Sequence, residues 1–271
     1  GGVARAYFKP ESLNELISFL KRFGSKEKIF LLGAGSNVLI KDEIFQGVVI
    51  KLGKNFSNIS LLSETTLVAG SATIDKKLSE FAYENNIGGF EFLSCIPGTI
   101  GGGLKMNSGC FDKEFKNILL SIQAVNKIGK ILTIPSSKIN FMYRGNDLDK
   151  DLIFLSASFR GKLEDKQIIK NTIDSLKNKK NQSQPTKIKT GGSTFKNPTS
   201  QTKEKVWELI KKSVPLDTKF GDAEISQKHC NFFVNRNNAT FKDMKNLIDF
   251  VQQSVKSKTG IDIETEIELV R

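Results

Sequence analysis

Ser193 stands between a glycine pair and the run Phe195-Lys196-Asn197-Pro198, in the stretch GGSTFKNP from Gly191 to Pro198. A serine so placed invites the role of nucleophile, and a serine nucleophile needs a neighbouring base. The chain holds one histidine, His229, and no Gly-x-Ser-x-Gly pattern surrounds Ser193. A conventional triad is therefore not legible, and a turn serine that caps its own backbone competes with any chemical task. His229 itself reads as a structural ring whose nitrogens are satisfied. Arg144, in the run Tyr143-Arg144-Gly145-Asn146, offers other chemistry. Its guanidinium is planar and always charged, so it can meet a carboxylate or enolate through two hydrogen bonds. The plain alternative is a surface arginine at a strand end. Near the carboxy terminus Asp262, Glu264, Glu266 and Glu268 alternate with Ile261, Ile263, Thr265, Ile267 and Leu269. The alternation predicts a strand with one core face and one acidic face, and it singles out none of the acids.

Two glycine-rich segments could hold an anion. The first is Gly33, Ala34, Gly35, Ser36 and Asn37; the second runs from Pro97 through Gly98 and Thr99 to Gly101, Gly102 and Gly103. Glycine lets backbone N–H groups turn toward a phosphate with no Cβ in the way, and two such loops suit a diphosphate approached from two sides. Neither is a dinucleotide fingerprint or a Walker loop: the first lacks the third glycine, and no Gly-Lys-Ser/Thr follows. Each alone also fits a tight turn.

These groups need elements to hold them. Leu13, Leu16, Ile17 and Leu20 make one stripe of a helix that opens on Ser12 and Glu15 as a capping box and ends at Gly24. KIFLLGAGSN reads as a buried strand entering the first glycine turn, GVVIKL and TLVAGS as further strands, and TIDKKLSEFAYENNIGG as a helix closed by glycines. FEFLSCIPGTIGGGLKMNSGC reads as a long loop region. LLSIQAVNKIGKILTIP is a hairpin around Gly129, and DLIFLSASFRG a strand. Residues 162–180 read as a polar helix, and NQSQPTKIKTGG as a linker. EKVWELIKK, CNFFVN, a helix after Thr240 and the strand GIDIETEIELVR complete the chain. Strands and helices alternate without a strict βαβ rhythm, so the fold class is α+β.

The 271 residues carry 41 Lys and Arg against 29 Asp and Glu, a net charge of +12, which favours anionic partners. A nucleic-acid partner lacks support, since aromatic residues are not interleaved with the lysines and no binding motif is present. Apolar runs are too short to span a bilayer, and no secretory signal is visible. The three cysteines, Cys95, Cys110 and Cys230, form neither a disulfide framework nor a metal site, which points to the reducing cytoplasm.

In their fixed order, GAGSNVLI, IPGTIGGGLKMNSGC, FMYRGN, GGSTFKNP, ISQKHCNFFVN and IETEIELVR closely resemble the UDP-N-acetylenolpyruvoylglucosamine reductase family. The resemblance covers nearly the whole chain. It begins inside an early Gly-Gly-x-Ala segment, here GGVARAYF, which implies a short stretch before Gly1. It implies a vanillyl-alcohol-oxidase-type FAD-binding fold: subdomains at 1–52 and 53–180, then a substrate domain at 181–271. It implies non-covalent FAD, NADPH as co-substrate, and a UDP-sugar enolpyruvate as substrate. No metal is expected. Gly33 to Asn37, Pro97, Gly98, Thr99, Gly101, Gly102, Asn107 and Gly109 are implied to hold FAD. Tyr143, Lys196 and Asn197 are implied to line the sugar-nucleotide site. Hydride delivery to the enolpyruvyl β-carbon leaves an enolate; the resemblance assigns its stabilisation to Arg144, its protonation to Ser193 and a polarising or relaying role to Glu266. A hydroxyl acting as an acid needs no triad base, which would explain Ser193. The alternative is another FAD-dependent oxidoreductase of this fold with a different substrate. Only fourteen residues lie between Arg144 and Phe159, too few for the tyrosine lid of one family branch. A cytoplasmic monomer is expected.

Overall fold

The computed structural model describes residues 1–185 and 188–270. Thr186 and Lys187 of the expected linker, and Arg271 at the end of the expected last strand, lie outside the described residues. The chain divides into two compact units, one of residues 4–35 and 46–179, the other of residues 1–3, 36–45 and 180–271. Stretch 36–45, expected inside a first subdomain ending at 52, groups with the carboxy-terminal residues. The reason is a parallel pairing of Val38–Ile40 with Glu268–Val270.

The larger unit is built around a five-stranded antiparallel sheet. Its order is Ile131–Pro135, Leu119–Val125, Ile153–Arg160, Thr66–Gly70, Ile59–Ser63. Helix α1 is Leu13–Phe23, α2 is Asp75–Glu84, and α3 is Ile100–Met106. Leu78 and Ala82 of α2 and Ile100 and Leu104 of α3 share a core with Phe90, Phe92, Phe115, Phe154 and Phe159. A second core joins Leu16 and Leu20 of α1 to Val48, Ile50, Val125 and Ile153. At the start of α1 the Ser12 hydroxyl accepts the Glu15 N–H at 3.2 Å, as expected. Glu15 however accepts the N–H of Glu11, at 2.9 Å, so the return bond of the capping box lands one residue early. Gly24 closes α1 in right-handed conformation; a side chain there would strike the Lys127 carbonyl.

Two expectations are corrected here. The long loop around residues 90–110 contains a 3-10 turn at Glu91–Cys95 and the helix α3. Its glycines pack against neighbours: a Cβ on Gly101 would meet Ser71, and one on Gly103 the Phe115 ring. Helix α2 is closed by Asn85 and Asn86, the latter at φ 58, and Gly88 belongs to a short strand. Between Gly145–Asn146 and Ile153–Arg160 only residues 147–152 intervene, with no tyrosine among them.

Helix α4, Lys166–Ser183, runs through the expected boundary at 180. The second unit carries a four-stranded antiparallel sheet in the order Lys189–Ser193, Phe232–Asn235, Ala223–Ile225, Lys219–Phe220. Helices α5 (Val206–Ser213) and α6 (Phe241–Thr259) share one apolar core with it, through Leu209, Ile210, Leu247, Val251, Ile225 and Phe233. Thr240 caps α6, accepting the Asp243 N–H at 3.1 Å, and Gly260 ends it at φ 73. The terminal strand is much shorter than expected: only Glu268–Val270 lies in a ladder, and Thr265 forms an isolated bridge with Phe195.

Candidate active site

In the larger unit the two glycine segments meet although 66 positions separate Gly33 from Thr99. A Cβ on Gly33 would lie 2.9 Å from the Thr99 hydroxyl. Gly35 sits at φ 74, where a side chain is strained. Among the described residues, no chain group accepts from the N–H groups of Gly33, Ala34 and Gly35. Successive unspent N–H groups of this kind form an anion-binding concavity. The second segment spends its donors differently. Gly98 N–H goes to Ile96, Ile100 N–H to Thr73, Gly101 N–H to Ser71 and Gly102 N–H to the Thr99 hydroxyl. Of residues 98–102, Thr99 keeps a backbone N–H with no acceptor among the described residues. Gly98 serves by its smallness, since a Cβ there would lie 2.6 Å from Asp75 Oδ2.

Asp75, missed by sequence reasoning, is fully buried, and neither carboxylate oxygen has a hydrogen-bond partner among the described residues. Burial pushes its carboxyl well above the ordinary carboxylate range. Its place at the start of α2 predicts only a solvated acid complementing the helix dipole.

Arg144 is one of the two turn residues of a tight hairpin in which Met142 pairs with Gly145. Its φ is 58, a conformation that costs a non-glycine residue about 1–2 kcal/mol. Such strain persists where neighbours over-determine the backbone, and here they do. Asn107, fully buried at the left-handed end of α3, donates to the Met142 carbonyl at 3.2 Å. Asn146 donates to the Leu104 and Lys105 carbonyls at 2.9 and 3.1 Å. The guanidinium donates to the Gly109 carbonyl at 3.4 Å and stands 4.9 Å over the Tyr143 ring. The Asn107 side chain is occupied within the chain, by Met142, Glu114 and the Lys116 N–H.

In the second unit Ser193 ends a strand instead of sitting in a free loop, with Gly192 at φ 86 forming a bulge before it. The residues after it are gripped from two sides. Thr194 N–H donates to Asn231 O at 2.7 Å, and Phe195 exchanges two bonds with the Asn231 side chain. On the other side Glu266 N–H donates to Thr194 O at 2.8 Å, and Lys196 N–H to Glu264 O at 2.9 Å. Phe195 is 1% exposed and packs edge-on against Phe233 at 5.6 Å. Burying such a ring contributes about 1.5–3 kcal/mol, enough to offset ordering of a residue or two of backbone. The Ser193 hydroxyl is half-buried and makes no hydrogen bond among the described residues, so it does not cap its own backbone.

The structure separates the four carboxy-terminal acids that the sequence left equivalent: Asp262, Glu264 and Glu268 are exposed, and Glu266 is half-buried. The Asn37 side chain donates to the Glu266 carbonyl at 3.0 Å and its backbone carbonyl accepts the Glu268 N–H at 2.9 Å, so Asn37 braces this segment with both side chain and backbone. Lys196 stands 3.6 Å from Glu264, a surface pair. Asn197 accepts the first N–H of α5, that of Val206, at 3.0 Å. His229 accepts the Asn231 N–H at 3.3 Å and lies edge-on to Phe232; burial lowers its pKa.

Residues 4–135 match an FAD-binding domain family, and residues 184–270 match the C-terminal domain of UDP-N-acetylenolpyruvoylglucosamine reductase. A reductase of that name from Pelagibacter ubique is 65% identical over 100% of this chain and 90% of its own length. One from Rickettsia felis is 44% identical over 99% of this chain and 90% of its own. The crystal structure of the Thermus caldophilus enzyme superposes with a TM-score of 0.84 at 27% identity, covering 98% of this chain and 92% of that one. The chain belongs to the UDP-N-acetylenolpyruvoylglucosamine reductase family.

Proposed function

We propose that this chain reduces the enolpyruvyl ether of a UDP-N-acetylglucosamine to UDP-N-acetylmuramate, in peptidoglycan synthesis, with NADPH as hydride source. FAD, when bound, supplies the relay of hydride between the two substrates. The unspent N–H groups of Gly33 to Gly35 and of Thr99 fit its diphosphate, and neither glycine segment holds a His or Cys that could tether it.

The observation that carries the reading is the Ser193 side chain: half-buried, without a hydrogen bond among the described residues, on backbone pinned by Asn231 and by residues 264–266. A hydroxyl so held can give its proton to a carbon made basic by hydride addition. Arg144 stabilises the enolate and the adjacent carboxylate as charge develops. Glu266 polarises the enolpyruvyl group or returns a proton. Lys196, Asn197 and Tyr143 bind the sugar nucleotide, and Asn197 also accepts the first N–H of α5. This reading takes the monomer as the working form. This reading takes the cytoplasm as the place of action, the call made from the free cysteines of the sequence.

The deciding experiment is NADPH oxidation by the flavin-loaded protein with and without the UDP-sugar enolpyruvate. Oxidation that depends on that substrate, yielding the lactyl ether by mass, is expected. Oxidation indifferent to it would favour another FAD-dependent oxidoreductase.

A further inference from the structure

We propose that Glu114 is a positioning residue for Arg144, holding its guanidinium aimed without capping it; this rests on the assignment of Arg144 to the enolate. Both side chains are largely buried, each 18% exposed. The two Glu114 oxygens have different surroundings. Oε2 accepts from Asn107 Nδ2 at 3.0 Å and is paired with Lys116 Nζ at 2.9 Å. Oε1 faces Arg144 Nη1 at 4.0 Å. A hydrogen bond would need about 2.7–3.2 Å, so this contact attracts the guanidinium and does not take up its N–H.

The second support comes from the same short hairpin. Gly109 pairs with Glu114, and the Gly109 carbonyl accepts from Arg144 Nη2 at 3.4 Å. One strand pair thus borders two nitrogens of the fork, with a carboxylate at one and a carbonyl at the other. Gly109 is required there: a Cβ would run into the Lys113 carbonyl and Glu114. Asn107 completes the arrangement, since the one Nδ2 group holds both Glu114 and the Met142 carbonyl beside the strained Arg144 turn. Two donors on Oε2 keep the carboxylate back; without them it would be free to close on the arginine as a bidentate pair and compete with substrate.

Glu114→Gln tests this, because the amide oxygen can still accept from Asn107 while the charge facing Arg144 is gone. FAD affinity, melting temperature and the rate of NADPH-driven flavin bleaching are expected to stay near wild type. Return of flavin absorbance on adding the enolpyruvyl substrate should be about tenfold slower, and the same change made in an Arg144→Lys background should slow it less than twofold. Wild-type return rates in Glu114→Gln overturn the proposal, as does an equal loss in both backgrounds. Loss of FAD or a melting point lowered by more than about 5 °C also overturns it, because Glu114 would then be holding the hairpin only. Arg144→Lys alone reports on the underlying assignment: if it returns absorbance at the wild-type rate, that assignment fails whatever Glu114 does.

Discussion

Asn231 holds Phe195 as a neighbouring strand would: its side-chain oxygen accepts the Phe195 N–H at 3.0 Å and its side-chain nitrogen donates to the Phe195 carbonyl at 2.9 Å. Asn231 is 4% exposed. Its loss would leave two buried backbone groups unpaired, two residues from Ser193. Asn231→Ala should therefore lower the melting temperature by roughly 5–10 °C. It should also slow the substrate-dependent return of flavin absorbance more than NADPH-driven bleaching. A melting point within a degree or two of wild type would show that the clamp is dispensable.

The contact between Gly33 and Thr99 makes a second test. A valine at Gly33 would push its branched side chain toward the Thr99 hydroxyl, into the place proposed for the diphosphate. Gly33→Val should weaken FAD binding about tenfold or more, read by titrating flavin fluorescence, while circular dichroism stays unchanged. Unaltered affinity would remove this loop from the cofactor site.

Glu266 is half-buried and Glu268 is exposed. Glu266→Gln should slow the substrate half of the reaction by about a hundredfold, and Glu268→Gln should leave it within about twofold. Stopped-flow absorbance decides between them; matching rates for the two variants would refute the choice of Glu266.

Ser193→Ala should bind FAD and accept reducing equivalents from NADPH normally, yet pass them to the enolpyruvyl substrate about a hundredfold or more slowly. Ser193→Cys should retain part of the activity, since a thiol also donates a proton. The wild type should show a solvent deuterium isotope effect on this step alone. Wild-type turnover by Ser193→Ala would mean that the proton comes from elsewhere.

Asp75 predicts a pH dependence of stability. Its folded-state pKa lies well above the usual value, through burial. The native state then keeps a proton that the unfolded chain, titrating near pH ~3.9, has already released. Stability from this group is full below the unfolded pKa and is lost as pH rises toward the folded one. Asp75→Asn should remove that slope. Its melting temperature relative to wild type should climb from pH 4 to pH 8; a constant difference across this range would show that Asp75 does not titrate abnormally.

Much of the site was readable in the residues themselves. Glycine segments, the Ser193 stretch and Arg144 are local patterns, fixed by backbone freedom and side-chain chemistry, and their order along the chain was enough for the family resemblance. Most elements followed from local pattern: α1 from its leucine stripe, the start of α6 from Thr240, the hairpin from Gly129. What depends on distant neighbours was not readable. The sequence gives no sign that α3 runs through the second glycine segment, because three successive glycines argue against a helix; packing against Ser71 and Phe115 decides it. Asn231 and Glu114 look like ordinary turn or surface residues until their partners, Phe195 and Arg144, are brought beside them. The alternation of the last strand marks faces but not ends, so it could not tell Glu266 from Glu268. That distinction comes from pairing with Thr194 and Asn37, residues far away in sequence. Local chemistry thus set which groups are present, and long-range hydrogen bonding and burial set which of them are held, exposed or kept neutral.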